Sequence, residues 1–388
     1  MTKCHILYLA CTAALVGTGL GAASPAAGHS THVVRPGESI QKAVDAAEPG
    51  DTVFLARGTY RESVRITTPG LTLRGVGRGT VIQPAAAPAP APATVPAPAA
   101  SPAPATVPAP APAPAAAKPA APKAPDDCAA SGNGVCVQGT LDKRLKDVTV
   151  ANLKVTGFAK SGVSALATDG LTVRNVTAEK NGVWGIAEEG SVRSVYRRNT
   201  ARENGDAGLF LANTVTAEKG APDTGGTRVE RNRLEGNRIG VTVRRLRNLT
   251  VVRNYVVDNC AGVFVVGDEN KPKTGSLSVR ENRLAHNNKS CPKTARLDAL
   301  QGSGIVLTGA EDTQVTRNVI TDHAGNSPLS GGIVVWKSFV GATSDRNRIA
   351  DNTLSGNSPA DLVNTDTDGV GNTFENNSCR SSRPTGLC

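Results

Sequence analysis

Four residues in the middle of the chain carry side chains suited to acid–base work on a sugar: Glu189, Arg244, Asp268 and Glu269. Hydrolysis of a glycosidic bond needs two carboxylic groups about 5–9.5 Å apart. Elimination from a uronate instead needs a cation over the substrate carboxylate and a base for the C5 proton. Arg244 offers the cation, and Glu189 with Asp268 or Glu269 offers the carboxylates. Phe210, Phe264 and Trp336 could stack on sugar faces, with Arg245 and Lys337 beside them. These aromatics stand out because Phe, Trp and Tyr together make up only 3% of the residues.

A second pattern lies near the C-terminus. The segment NTDTDGVGNTFE sets Asn364, Asp366 and Asp368 at positions one, three and five of a twelve-residue calcium loop, with Gly369 at six and Glu375 at twelve. The competing reading is an ordinary Asp-Gly turn between strands. His323 stands where neighbouring repeats carry a turn Asn, which assigns it to a turn ahead of a general base.

The elements that position these residues are repeats. A short apolar strand, an Asn turn, a second strand, another turn and a Gly-apolar-x-apolar strand recur along the chain, as in TVRNVTAEKNGVWGI from Thr172 and RVERNRLEGNRIGVTV from Arg228. The first-turn asparagines read as Asn175, Asn199, Asn232, Asn254, Asn282, Asn318 and Asn352, with a first spacing of 24 residues and a shortest of 22. A unit of that size, made only of strands and turns, is one coil of a parallel β-helix. Asn suits left-handed turn positions and can ladder between coils. In the Gly-apolar-x-apolar strand that begins at Gly185 and its equivalents, alternate side chains face outward. That rule points Ser164, Ala187, Phe210, Thr242, Phe264, Val306 and Val334 out, followed by Leu166, Glu189, Ala212, Arg244, Val266, Thr308 and Trp336. Glu188 falls on the inward side, so either the strand ends there or a carboxylate is buried.

The repeats carry extra residues beside this face at 213–226, 267–276, 288–303, 324–331 and 337–345. Two arrangements satisfy the pattern. The loops could wall a groove with an aromatic floor, or fold down and bury the strip as a second core. Two coils stand between the strands of Glu189 and Asp268, which predicts a separation of roughly 10–15 Å at about 4.8 Å per coil.

Composition and chain ends set the class. Lys3, the apolar run Ile6 to Leu20 and small residues Ala22 to Ala27 read as a signal peptide over 1–27, and no later segment is long enough to span a membrane. Export leaves Cys128, Cys136, Cys260, Cys291, Cys379 and Cys388; proximity and coil geometry favour pairing them in that order. Residues 31–83 read as an N-terminal cap and first coils, with SIQKAVDAA as a short capping helix that places Ile40, Ala43, Val44 and Ala47 at helical spacing. Residues 84–125 are an Ala/Pro tract without core-forming residues, expected as a disordered insert extruded from the solenoid. Residues 126–388 form the main β-helix. The 43 basic residues against 33 acidic ones give +10, which favours an acidic polymer as partner. No nucleic-acid motif is present, and a monomer is expected.

The segment from Ile40 to Ile82, IQKAVDAAEPGDTVFLARGTYRESVRIT and onward, resembles the opening of secreted right-handed parallel β-helix proteins such as pectate lyases, pectin methylesterases and NosD-like carbohydrate-binding and sugar-hydrolase proteins. The resemblance implies an all-β, single-stranded right-handed β-helix acting on polysaccharide outside the cell, as a lyase or hydrolase. It implies no particular active site. Asn364-Thr365-Asp366 matches the first polygalacturonase segment, yet nothing suitable follows it. Gly58-Thr59-Tyr60-Arg61-Glu62 is shared with pectin methylesterases only as a turn, and the Asp-Pro-His of mannuronan epimerases is absent. A non-catalytic cell-surface structural or adhesion protein is the alternative.

Overall fold

The computed structural model describes residues 28–85, 127–214, 219–294 and 297–388. The signal-peptide and most of the Ala/Pro expectations fall outside these residues. Among them, the strands assemble into three long parallel sheets, here called A, B and C, of 12, 10 and 11 strands. One coil supplies one strand to each sheet: Thr172–Arg174 to A, Thr177–Glu179 to B and Trp184–Glu189 to C. The next coil then stacks in parallel register on all three. This winding is a right-handed parallel β-helix, the hand favoured by parallel crossovers.

Stacking puts like on like. Val173, Tyr196, Val229, Val251, Val279, Val315 and Ile349 form one inward column of sheet A. All are fully buried in a continuous core that runs from Val34 to Leu362. The glycines opening the sheet C strands are required by close approach. A Cβ on Gly304 would lie 2.2 Å from the carbonyl oxygen of Gly332 in the next coil.

Two asparagine ladders line the corners around sheet B. At the A/B corner, Asn199, Asn232, Asn254, Asn282, Asn318, Asn352 and Asn377 follow one another, each accepting from the backbone N–H of the preceding rung. The expected first rung needs correction. Val176, not Asn175, donates its N–H to Asn199, so the first spacing is 23 residues. Asn175 occupies the left-handed position before it, with φ 53°, and its amide reaches out to Asn152. At the B/C corner the rungs are Asn181, Asn204, Asn237, Asn259, Asn287, His323 and Asn357. His323 is thus a ladder member.

The helix Ile40–Ala46 closes one end, burying Ile40 and Val44. Glu62 from the first coil caps it, accepting from the N–H groups of Ile40 and Gln41. Strands before and after residues 86–126 are immediate neighbours, since Val64 pairs with Val135 and Leu73 with Val150. The chain therefore leaves and re-enters one solenoid. Cys128–Cys136, Cys260–Cys291 and Cys379–Cys388 are bonded, the last beside the final coil. No helix among the described residues is long and apolar enough to cross a membrane.

Candidate functional site

The outward column of sheet C is closed. Phe264 is 1% exposed, Phe210 7%, and Val306 and Val334 are fully buried. With Leu300, Leu329, Ala360 and the Cys260–Cys291 pair they form a second apolar cluster outside the sheet. Phe210 and Phe264 are therefore not a solvent-facing platform, which corrects the groove reading. Two clamps hold the cover down. The disulfide ties residue 291 to the sheet, and the buried Arg238 donates to the carbonyls of Pro292 and Asp298 at 2.6 and 3.0 Å. Trp184 stacks on Phe210 with centroids 4.4 Å apart, and its indole N–H donates to Asp206 at 3.0 Å. Trp184, Asp206 and Arg238 were missed in the sequence because they sit at the strand start, where the glycine interrupts simple alternation.

The next column is where this face reaches solvent. Leu166 is 38% exposed, and Glu189, Arg244, Val266 and Trp336 are half-buried in the same row. Ala212 lies between Glu189 and Arg244, and Thr308 lies between Val266 and Trp336.

The four candidate catalytic residues do not form an acid pair. Asp268 is ion-paired to Arg245, with side chains 14% and 11% exposed. That pairing neutralises the carboxylate and takes Arg245 from the set of free sugar-binding cations. Glu189 is three strand steps from Val266, or about 14 Å at ~4.8 Å each. Glu269 is exposed beside this pair. Lys337 is salt-bridged to Asp368 at 2.7 Å, which holds its amine above the ordinary value.

Glu188 is the buried carboxylate of the two alternatives. It is 1% exposed, pointing into the core from sheet C, where it accepts from the hydroxyl of Tyr196 on sheet A. Burial raises its pKa above the ordinary range, against the opposing hydrogen bond from Tyr196.

The calcium-loop residues do not converge on a metal. Asp366 is buried and accepts from the N–H groups of Ser344 and Gly369, at 2.6 and 3.1 Å. Asn364 accepts from the Asp366 N–H, Asp368 pairs with Lys337, and Glu375 pairs with Arg348 at 3.2 Å. No cluster of three or more His, Cys, Asp or Glu suited to a metal occurs among the described residues. The ligand spacing is met, but N–H and cationic donors already hold the oxygens, so calcium does not fit.

Charges at the C/A corner bind coils to one another. Arg247 and Arg346 both meet Glu311, and Lys273 meets Asp345 at 2.7 Å. A shallow depression of about 400 Å³ on sheet A, beside this network, is lined by Thr250, Ser276, Ser278, Gln314 and one carboxylate, Asp312. A lone carboxylate cannot supply the acid and base of a glycosidase.

Stacked parallel coils, corner ladders and an end-capping helix define a right-handed parallel β-helix protein. The family described as "Right handed beta helix region" matches residues 126–275 and 219–349, together more than half of the chain, and the chain belongs to it. Among solved structures, the A-module of the Azotobacter vinelandii mannuronan C-5 epimerase AlgE4 is similar, with 19% identity over 88% of this chain and 94% of that one, at a TM-score of 0.50. The corresponding AlgE6 module is 17% identical over 88% and 92%, at 0.51. The Dettilon tailspike protein is 13% identical over 90% of this chain and 68% of its own, also at 0.51. At these identities the likeness shows the fold alone. No curated protein sequence matches the chain.

Proposed function

We propose that this is a secreted β-helix protein that engages an acidic polysaccharide along the solenoid. The observation that carries the reading is the solvent-reaching row of sheet C, where Arg244 and Trp336 offer a cation and an indole on one face. A guanidinium pairs with a uronate carboxylate in a forked geometry, and an indole stacks on a sugar ring. The net charge of +10 and three disulfides support an acidic partner and an oxidising location. The epimerase modules of the same fold are named for mannuronan, a polyuronate. Of the two reactions weighed, elimination fits the sheet C row better than hydrolysis, because Arg244 lies in that row and its described residues hold no close carboxylate pair.

The test is retention on immobilised polygalacturonate and alginate, with assay for new unsaturated ends. Wild type is expected to be retained, and Trp336→Ala with Arg244→Gln to weaken retention about tenfold, or ~1.4 kcal/mol. Equal retention of wild type and variant would remove the sheet C row from the reading. The ion-paired Asp268 favours a second reading, a non-catalytic wall-binding or adhesion protein. Binding without any turnover of the panel decides for it.

A further inference from the structure

A second surface, at the corner between sheets A and B, has a different chemistry. Around the A/B corner, Arg174, Arg197, Arg198, Arg231, Arg283 and Arg317 make no salt bridge among the described residues, although the charges of Arg197 and Arg231 add to the Arg228 hydrogen bond in lowering the pKa of Glu230. Arg198, Arg231, Arg283 and Arg317 are exposed. Interspersed arginines such as Arg253 and Arg280 are balanced by Glu281, and Arg228 by Glu230. The unpaired guanidinium groups span five strand steps of sheet A, about 24 Å at ~4.8 Å per step.

The residue type at this corner is not what the backbone asks for. Arg198, Arg231, Arg253 and Arg317 hold left-handed φ angles of 56°, 55°, 55° and 55°. Gly, Asn and Asp adopt that conformation most readily, and a long side chain does so at a local cost. The B/C corner follows the preference at several rungs, with Gly236, Asp258, Asp322 and Gly356 in the same conformation. Arginine therefore recurs at the A/B corner against local preference, and no salt bridge among the described residues accounts for Arg198, Arg231 or Arg317.

We infer that the A/B corner is a docking track for a carboxylated polysaccharide chain lying parallel to the solenoid axis. The coil-to-coil step of about 4.8 Å is close to the length of one sugar ring, so Arg198 and Arg231 on neighbouring coils can meet neighbouring carboxylates. The run is interrupted where Arg253 is paired to Glu281, before Arg317 continues it. Guanidinium–carboxylate pairs are forked and directional, which suits a rigid uronate polymer. The track sits apart from the sheet C row and rests on the reading above for the class of polymer.

The test uses the full-length mature protein and the triple substitution Arg198→Asn, Arg231→Asn, Arg317→Asn. Asn is at home at left-handed φ, so the variant is expected to melt at or above the wild-type temperature. Retention on immobilised polygalacturonate should fall at least tenfold, and the remaining retention should depend less steeply on salt. Unchanged retention of the triple variant would overturn the track. If Trp336→Ala releases the polymer while the triple variant is retained as wild type, the sheet C reading stands and this one falls. Loss in the triple variant with Trp336→Ala retained supports the track and removes the row. Stronger wild-type retention on polyphosphate than on polyuronate would also overturn it, because the partner would then be a phosphate polymer.

Discussion

The hydroxyl of Tyr196 donates to the carboxylate of Glu188 across the interior of the solenoid, joining sheet A to sheet C in otherwise aliphatic surroundings. Both side chains are fully buried, and burial raises both pKa values. A carboxyl whose folded pKa is raised stabilises the fold below its ordinary value of 4.5 and loses that contribution as pH rises through the folded value. Replacing Glu188 with Gln removes the ionisation, so the variant should gain on wild type as pH rises from 4 to 8. Tyr196→Phe leaves the carboxyl without its donor and should cost about 1–3 kcal/mol. Urea unfolding of the three proteins across that range checks both outcomes.

His323 has the opposite sign. Burial lowers its pKa from 6.5 to about 4, and the ladder leaves both ring nitrogens engaged, Nε2 with Asn287 at 2.8 Å and Nδ1 with Asn357 at 2.9 Å. The neutral ring, donating from Nδ1 and accepting at Nε2, satisfies both neighbours. A depressed histidine stabilises the fold above pH 6.5 and loses that contribution as pH falls through about 4. His323→Asn restores the ladder chemistry without a titration. It should match wild type at pH 7.5 and exceed it by up to about 3 kcal/mol near pH 4. Equal acid sensitivity in the two proteins would discard the assignment.

Gly304 tests the close stacking of coils. The nearest atom to a new Cβ is a backbone carbonyl, which cannot swing aside as a side chain would. Gly304→Ala should destabilise by about 1–3 kcal/mol, as overpacking does. Gly304 does not hold a left-handed φ, so the cost there is steric; Gly341→Ala, at φ 84° with nothing within 4 Å of a new Cβ, gives the backbone cost without a clash for comparison.

Cys260→Ser with Cys291→Ser probes the cover over Phe264. The crosslink closes 31 residues of sequence, so its loss should cost about 3–4 kcal/mol by loop entropy. If the cover is held down mainly by this bond, the variant should bind an apolar dye that wild type excludes. Dye exclusion by the folded variant would assign the closure to Arg238 and apolar packing.

Much of the architecture was legible in the repeats. Strand-turn-strand units of 22 residues or more cannot bury their apolar faces singly, and stacking is the available remedy. The capping helix was equally visible, because Ile40 and Val44 follow a helical spacing directly before Pro49-Gly50. Register was not. Asn175 and Val176 differ by one residue, and the hydrogen bond to Asn199 in the next coil decides which one is the rung.

Functional geometry followed the same division. The residue pattern alone determined that Glu189, Arg244 and Trp336 share a row, because alternation is a local property of a strand. It could not determine whether Phe210 and Phe264 meet solvent, since the cover is fixed by Arg238 reaching carbonyls 54 and 60 residues away. Nor could it foresee that Asp366, at a correct ligand spacing, accepts from Ser344 across 22 residues instead of holding an ion. Local spacing sets which side chains face the same way; contacts between distant segments decide which of them remain available.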